Sequence, residues 1–166
     1  MNAEDETLGR GLLYVIATPI GNLDDISLRA KETLESCDLI ACEDTRVTAK
    51  LLAHIKAKVP TTSYREENER WKAPELADRV ERGEKIGLVS DAGFPAISDP
   101  GFRMVRECRR RKLPVVPVPG PNAAITALAV SGLPTDKFLY LGFLPNKSYG
   151  RCKVFRQWKD FSGSLI

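Results

Sequence analysis

The chain has 166 residues with a net charge of +3, which is enough for one domain, or for one domain and part of a second. Hydrophobic residues at 43% and charged residues at 28% are globular values and exclude a disordered or collagen-like chain. The excess of 25 Lys and Arg over 22 Asp and Glu permits an anionic partner without requiring one.

Apolar runs alternate with amphipathic stretches along most of the chain. In chain order the pattern predicts a strand over 12–17, a helix over 27–36, a strand over 39–42, helices over 45–55 and 66–82, a strand over 85–90, a helix over 99–111, a strand over 115–118, a helix over 122–130 and a strand over 138–141. Strands that lack alternation and are separated by helices are typical of sheets buried on both faces. The sequence therefore predicts an α/β protein with a mainly parallel sheet flanked by helices.

The composition changes after the last of these strands. Residues 142–150 are rich in Gly, Pro, Asn and Ser, which is typical of a linker. A basic helical stretch over 151–160 follows, and a further strand begins at 164. We therefore expect an N-terminal α/β domain over 1–141, a linker over 142–150 and, over 151–166, only the beginning of a second domain.

The cysteines and the single histidine limit the chemistry. Four cysteines form no C-x-x-C pair, and His54 is the one histidine, so no metal site is expected. Free cysteines fit a reducing compartment, and the first ten residues lack the apolar segment of a secretion signal. We expect a cytoplasmic protein without membrane contact, in which His54 lies on a helix surface.

Three loops directly follow predicted strands, where open parallel sheets bind their ligands. The loop over 17–25 contains Pro19, and the loop over 118–124 places Asn122 near a helix N-terminus, where it either contacts a ligand or only caps the helix. Neither G-x-x-x-x-G-K-[ST] nor G-x-G-x-x-G occurs, which argues against P-loop and Rossmann nucleotide sites.

The third loop, over 90–101, is the most informative. Ala92 and Gly93 permit close approach of a ligand to the backbone, and Asp91 can accept hydrogen bonds from a ribose or an amino group. Asp99 is predicted to cap the following helix, with Pro100 as its first residue.

Six motifs, in this order along the chain, resemble those of the tetrapyrrole methylase superfamily. They are TPIGNL at 18–23, CEDTR at 42–46, SDAGFPAISDPG at 90–101, PVPGP at 117–121, SGLPTD at 131–136 and GFLPNKS at 142–148. Within the superfamily they most resemble the bacterial 16S ribosomal RNA cytidine 2′-O-ribose methyltransferases. The resemblance extends from about Leu12 to Ile166.

This resemblance implies a cofactor, S-adenosylmethionine, bound between two α/β domains, and methyl transfer to the ribose 2′-oxygen of a cytidine. The residues it assigns to the cofactor are Pro19, Asp91, Ala92, Gly93, Ile97, Asn122 and Ala123. The strings 43–46 and 64–69 would face the nucleotide. The chain departs from the family in having Phe94 in the third loop and no histidine near Tyr64, which puts a histidine-based mechanism in doubt.

A ribose hydroxyl needs a proton acceptor and alignment with the methyl group. Glu43, Asp44 and Glu66 are candidate acceptors, and we assign catalytic roles to Glu43 and Arg46. Alternatively, Asp44 only caps the helix that begins near Thr45, and Glu43 pairs with Arg46 on the surface.

Two basic clusters are candidates for contact with RNA phosphates. We attribute the cluster over 103–112 to the helix dipole, which favours cations at a helix C-terminus. The second cluster includes Lys147 and Arg151, which we predict to bind RNA.

The partners implied are 16S ribosomal RNA in the small subunit and a second copy of the chain in a homodimer. Two alternatives remain open, namely a methylase of tetrapyrroles or of a modified protein side chain, and a chain that binds cofactor or RNA without catalysis. Because the chain would supply only about half of the cofactor site, we expect these 166 residues alone to bind cofactor weakly and to transfer little methyl.

Overall fold

The computed structural model of the protein describes residues 11–166. The expected absence of a secretion signal concerns residues 1–10, which lie outside this range. The elements alternate as the sequence predicts. In chain order they are β1 (Leu12–Ile16), α1 (Leu28–Glu35), β2 (Leu39–Cys42), α2 (Thr45–His54), β3 (Thr61–Ser63), α3 (Glu69–Glu81), β4 (Lys85–Val89), α4 (Phe102–Arg110), β5 (Val115–Val118), α5 (Ala123–Val130), β6 (Phe138–Leu139), α6 (Ser148–Gln157) and β7 (Ser164–Leu165).

Five strands form one parallel sheet in the order β3-β2-β4-β1-β5. The central strands β2 and β4 are apolar and buried along almost their whole length, because helices cover both faces of the sheet. One core cluster holds side chains of α3 and α4, and a second cluster holds side chains of α1 and α2. The predicted α/β class with a mainly parallel sheet is confirmed.

The strand order places the carboxyl ends of β1, β2 and β4 next to one another. Strand β4 lies between β2 and β1, so β1 and β2, which are consecutive strands in the chain, are not neighbours in the sheet. The loops that follow these three strands therefore meet at one edge of the sheet, which is where open parallel sheets hold their ligands.

The chain divides into two compact units, one up to Pro121 and one from Asn122 to Ile166. In the second unit β6 pairs in parallel with β7, with Phe138 opposite Ser164. The strand that was predicted to close the first domain thus belongs to the second unit. This division differs from the predicted domain boundary at 141 and from the predicted linker, into which α6 extends at Ser148.

The structure corrects three features of the predicted elements. The strand β3 was not predicted, because its sequence, Thr-Thr-Ser, lacks an apolar run. The helix α3 begins at Glu69 rather than at 66, after a turn in which the Asn68 side chain accepts the N–H of Arg65. The helix α4 begins at Phe102, so Asp99 and Pro100 are not its cap and first residue.

Among residues 11–166, no helix combines the length and the apolar character that crossing a bilayer requires.

Candidate functional site

The loops after β1 and β4 are joined by backbone hydrogen bonds. Thr18 and Gly93 donate their N–H groups to each other's carbonyl oxygens, at 2.9 and 3.1 Å between nitrogen and oxygen. The Thr18 hydroxyl is buried and donates to the carbonyl oxygen of Ser90 at 3.1 Å. These bonds place two residues assigned to the cofactor, Pro19 and Gly93, on adjoining backbone segments.

The loop after β4, residues 90–101, has an unusual backbone. Its φ angles are positive at Gly93, Ala96, Ser98 and Gly101, and two of these residues carry a Cβ atom. Such conformations cost about 1 kcal/mol or more for a residue other than glycine and persist only where surrounding contacts impose them. Gly101 has no room for a side chain, since a Cβ atom there would lie 3.0 Å from both Ala96 Cβ and Leu88 Cδ2.

One of the contacts that hold this loop comes from α3. Glu69 is only 8% exposed, and its Oε1 accepts the backbone N–H of Gly101 at 2.6 Å. Its Oε2 lies 3.5 Å from the Nε of Arg103. Gly101 precedes α4 and has no side chain to cap it. The Glu69 carboxylate of α3 therefore satisfies the N–H group of Gly101, and its negative charge stabilises the positive end of the α4 dipole.

A cavity of about 590 Å³ opens at the carboxyl ends of β2 and β4. Its lining contains seven carboxylates and two guanidinium groups. The lining residues are Glu43, Asp44, Arg46, Arg65, Glu66, Glu67, Glu69, Asp91, Ser98, Asp99 and Pro100. The site is therefore strongly anionic, although the whole chain is weakly cationic.

Glu43 and Asp91 hold the loops after β2 and β4 against each other. Asp91 Oδ1 accepts the backbone N–H of Asp44 at 3.0 Å, and the Glu43 carboxylate accepts the backbone N–H of Asp91. The Nε of Arg65 donates to the carbonyl oxygen of Glu43 at 2.9 Å. Partial burial raises the pKa of Glu43, and the negative charges of Asp91 and Asp99 raise it further.

Arg46 pairs with Asp44 and not with Glu43. Asp44 Oδ1 accepts the backbone N–H of Arg46 at 2.8 Å and thereby caps α2, and its Oδ2 lies 2.6 Å from the Arg46 Nη2. These bonds hold the pKa of Asp44 well below its usual range. The expected capping role of Asp44 is confirmed, and the expected surface pair between Glu43 and Arg46 is wrong.

Asp99 lines the cavity, although the sequence predicts only a helix-capping role for it. Burial raises the pKa of Asp99, with a hydrogen bond from Ser90 acting in the opposite direction and the charge of Asp91 raising it further. The sequence contains a signal for this placement. Gly101, which follows the Asp99-Pro100 pair, is itself a favoured N-cap residue, and a helix capped by Gly101 begins after Asp99.

The structure separates the remaining predicted residues. Pro19 is buried, whereas Ala92 and Ile97 are exposed on the loop after β4. Tyr64 is buried in the core, so it does not line the cavity as Arg65, Glu66, Glu67 and Glu69 do. His54 lies on a helix surface, 3.3 Å from Asp24 Oδ1.

The second unit carries four of the predicted residues. Asn122 Oδ1 accepts the N–H of Ile125 at 3.0 Å and so caps α5, which Ala123 begins. Lys147 precedes α6 and is exposed. The guanidinium of Arg151 donates to the carbonyl oxygens of residues 145 and 146, which fixes part of its hydrogen-bonding capacity within its own loop.

Within the described range 11–166, no group of three or more His, Cys, Asp or Glu side chains is placed to hold a metal ion. Five of the seven cavity carboxylates, those of Glu43, Asp44, Glu69, Asp91 and Asp99, are instead engaged by backbone N–H groups, by Ser90 or by arginines.

The chain is similar in sequence to curated proteins that are named as methyltransferases of ribosomal RNA. It is 48% identical over 156 residues to "Ribosomal RNA small subunit methyltransferase I" of Pasteurella multocida (strain Pm70), which covers 94% of this chain and 56% of the relative. It is 53% identical over 142 residues to the protein of the same name from Escherichia coli O157:H7, covering 86% of this chain and 50% of the relative. The chain thus spans about half the length of these relatives.

Solved structures share the fold at low sequence identity. The crystal structure of diphthine synthase matches with a TM-score of 0.67 and 14% identity, covering 93% of this chain and 63% of that one. The crystal structure of uroporphyrin-III-C-methyltransferase from Thermus thermophilus matches with a TM-score of 0.59 and 21% identity, covering 79% of this chain and 59% of that one.

A family model described as "Tetrapyrrole (Corrin/Porphyrin) Methylases" matches residues 12–165, which is nearly the whole described chain. The parallel sheet, the loops at its carboxyl edge and the high identity to the curated relatives agree with this match. The chain belongs to the tetrapyrrole methylase family.

Proposed function

We propose that the protein transfers the methyl group of S-adenosylmethionine to the ribose 2′-oxygen of a cytidine in 16S ribosomal RNA. The observation that carries this proposal is the anionic cavity, in which a carboxylate with a raised pKa, that of Glu43, lies beside the loop after β4. The printed names of the relatives support RNA of the small ribosomal subunit as the substrate. A ribosomal substrate also implies that the reaction takes place in the cytoplasm.

The donor set fits the cofactor. When bound, S-adenosylmethionine supplies an electrophilic methyl group on a positively charged sulfur. A cavity with seven carboxylates and two guanidinium groups favours such a cation and its ammonium group. Asp91 lines this cavity and would hold the cofactor there. Ala92, Gly93 and Ile97 of the same loop and Pro19 of the adjoining loop are proposed as further cofactor contacts, although they are not among the lining residues.

Asn122 and Ala123 are also proposed as cofactor contacts, and both belong to the second unit. The Asn122 side chain caps α5, so we expect its contribution to come from the backbone at the N-terminus of this helix.

Glu43 is the proposed proton acceptor. With cofactor bound, methyl transfer would form the oxygen–carbon bond to the ribose and break the sulfur–carbon bond, and the Glu43 carboxylate would accept the proton of the 2′-hydroxyl. A carboxylate of ordinary pKa is a weak base, so the raised pKa of Glu43 brings it closer to the pH at which a general base is most effective. Asp44 is less suited, because Arg46 and a backbone N–H occupy its oxygens.

Arg46 is the proposed contact to the substrate. Its side chain is 86% exposed at the cavity lining while its partner Asp44 is largely covered, so the guanidinium can contact a phosphate without leaving this carboxylate. Lys147 and Arg151 are proposed as further RNA contacts on the second unit.

Methyl transfer from labelled S-adenosylmethionine tests the proposal. Small ribosomal subunits, free cytidine and uroporphyrinogen are offered in parallel at high concentrations of chain and cofactor, and we expect a low yield of label, in the ribosomal RNA alone. Nuclease digestion then locates the label at a ribose 2′-oxygen. Label in uroporphyrinogen, in protein or in a base would contradict the proposed substrate.

Substitution of the proposed base sharpens this test. Glu43→Gln keeps the shape of the side chain and removes its proton-accepting capacity, so we expect a loss of at least about 100-fold in single-turnover rate. Glu67→Gln is the matched control, since Glu67 also lines the cavity and has no proposed role in proton transfer. Equal rates for the two variants would refute the role of Glu43.

A second copy of the chain is the other proposed partner. The second unit exposes several large apolar side chains, which a homodimer would cover. They include Val130, Leu133, Phe143, Tyr149 and Phe155. Sedimentation equilibrium of the purified chain decides between monomer and dimer.

A further inference from the structure

The outer face of α4 presents an aromatic ring together with arginines. Phe102 is 62% exposed, and the guanidinium carbon of Arg106 lies 5.4 Å from the centre of its ring. The buried residues of this helix are Met104 and Cys108, which places Phe102 and Arg106 on the opposite side. This side of α4 therefore presents an aromatic face and a cation together to an incoming ligand.

The cations of α4 and of its C-cap residue differ in their partners, and the exposed Arg109 lies in the last turn. Arg110 and Arg111 are held by carboxylates, Arg110 by Glu107 and Arg111 by Glu107, Asp78 and Glu81. Arg103 and Arg106, in the first half of the helix, are exposed and have at most the 3.5 Å contact of Arg103 to Glu69 and the ring contact of Arg106. The helix dipole accounts for cations in the last turn of α4 and does not account for Arg103, in the first turn, or for Arg106, at the middle of the helix.

A second aromatic residue lies on the neighbouring helix. Trp71 on α3 is 63% exposed. The two helices run in the same direction, because Glu69 contacts Gly101 at their beginnings and Asp78 contacts Arg111 at their ends. Trp71 lies two helical turns before Asp78 on the same face of α3, so it is on the side of α3 that borders α4.

The exposed arginines of α4 follow a cavity-lining segment of the chain and carry the opposite charge to the cavity carboxylates. Pro100 lines the cavity, and Phe102 begins α4 two residues later. The cavity carboxylates repel phosphate groups, whereas the exposed arginines attract them. Cations outside the cavity that hold the phosphates on either side of a ribose would therefore favour entry of that ribose.

We propose that Trp71, Phe102, Arg103 and Arg106 form a docking surface for single-stranded RNA, which we call the α4 surface. A base stacks on Phe102 or Trp71, and the two arginines contact phosphates next to the nucleotide whose ribose enters the cavity. Stacking accepts any base, so the α4 surface contributes affinity and position and leaves the choice of nucleotide to other contacts. This inference rests on the proposed function for the identity of the ligand.

Binding of a fluorescent single-stranded oligoribonucleotide to the whole chain tests the α4 surface without requiring catalysis. Phe102→Ala is expected to weaken binding about tenfold at fixed salt, since one stacked base contributes about 1 to 3 kcal/mol. Phe102→Leu keeps an apolar side chain without an aromatic face, and we expect it to bind as weakly as Phe102→Ala.

The arginine contact has its own readout. Arg106→Ala is expected to reduce the slope of log K against log salt concentration by about 0.7, the value for one phosphate contact on a single strand. The matched control is Arg82→Ala, which removes the same charge from an exposed arginine at the opposite end of α3. The control is expected to leave the slope and the affinity nearly unchanged.

Two results would overturn the inference. The first is equal RNA affinity and salt slope for Phe102→Ala, Arg106→Ala and Arg82→Ala. The second is a change of sedimentation coefficient in RNA-free Phe102→Ala, which would assign the α4 surface to a second copy of the chain. Loss of RNA binding in the α4 variants together with methyl label in uroporphyrinogen, in protein or in a base would refute the proposed function and leave the α4 surface standing.

Discussion

At the scale of single residues, the cavity concentrates carboxylates whose protonation depends on one another. Glu43 and Asp99 both have raised pKa values, in each case mainly through burial and further through the charge of Asp91. Burial disfavours the ionised form, and neighbouring negative charges add to this effect. A proton acceptor of raised pKa is thus assembled from residues that are far apart in sequence.

The charge of Asp99 sets part of the pKa of Glu43. Asp99→Asn removes one negative charge that faces Glu43, so we expect the pKa of Glu43 to fall towards its ordinary value. A base acts in its deprotonated form, so the acid limb of the methyl-transfer rate is expected to move to lower pH. NMR titration of the Glu43 carboxyl carbon measures the shift directly. An unchanged pKa in Asp99→Asn, or an equal shift in the control Glu66→Gln, would contradict this electrostatic coupling.

At the scale of elements, the loop after β4 is held in place by its neighbours. Its first half is bonded to the loop after β1 through Thr18 and Gly93, and its end is bonded to α3 through Glu69 and Gly101. Both contacts are made by residues more than 30 positions away in the sequence. The backbone with positive φ at Ala96 and Ser98 is therefore imposed by tertiary contacts.

Removal of the Glu69 carboxylate tests this arrangement. Glu69→Ala leaves the buried N–H of Gly101 without an acceptor, and we expect a loss of about 1 to 3 kcal/mol in the free energy of unfolding. Glu69→Gln keeps an oxygen acceptor at this position, so the expected loss is smaller. Urea unfolding measures both. Glu75→Ala is the control on the same helix, because the exposed pair of Glu75 with Lys72 contributes at most about 1 kcal/mol. A loss of stability in Glu75→Ala as large as that in Glu69→Ala would count against a specific role for Glu69.

At the scale of the whole molecule, the two compact units differ in their buried apolar content. The buried apolar side chains of the described chain lie in the first unit, with the exception of Leu128. Local opening costs little free energy where few apolar contacts are buried. In native-state hydrogen exchange we expect the amides of β2 and β4 to be the most protected and those of β6 and β7 to exchange much faster. Equal protection of β4 and β7 would show that the second unit is stabilised by contacts of another kind.

Local patterns predicted much of the first unit. The unbroken apolar runs of β2 and β4 and the amphipathic periods of α1 to α3 depend on residues close in sequence, and they were recovered to within a few residues. The short strand β3 was missed because its place at the edge of the sheet comes from pairing with β2 and not from its own composition.

The sequence by itself determined the α/β class, the family motifs and the loops that carry polar residues at the carboxyl edge of the sheet, because period, turn residues and motif order are local properties of the chain. Only the tertiary structure decided which carboxylates share a cavity, that Glu69 rather than Asp99 supports the start of α4, and that Arg46 pairs with Asp44. The physical reason is that burial and charge coupling act through distances in space. Residues such as Glu43, Asp91 and Asp99 acquire their chemistry only when strands far apart in the sequence bring them together.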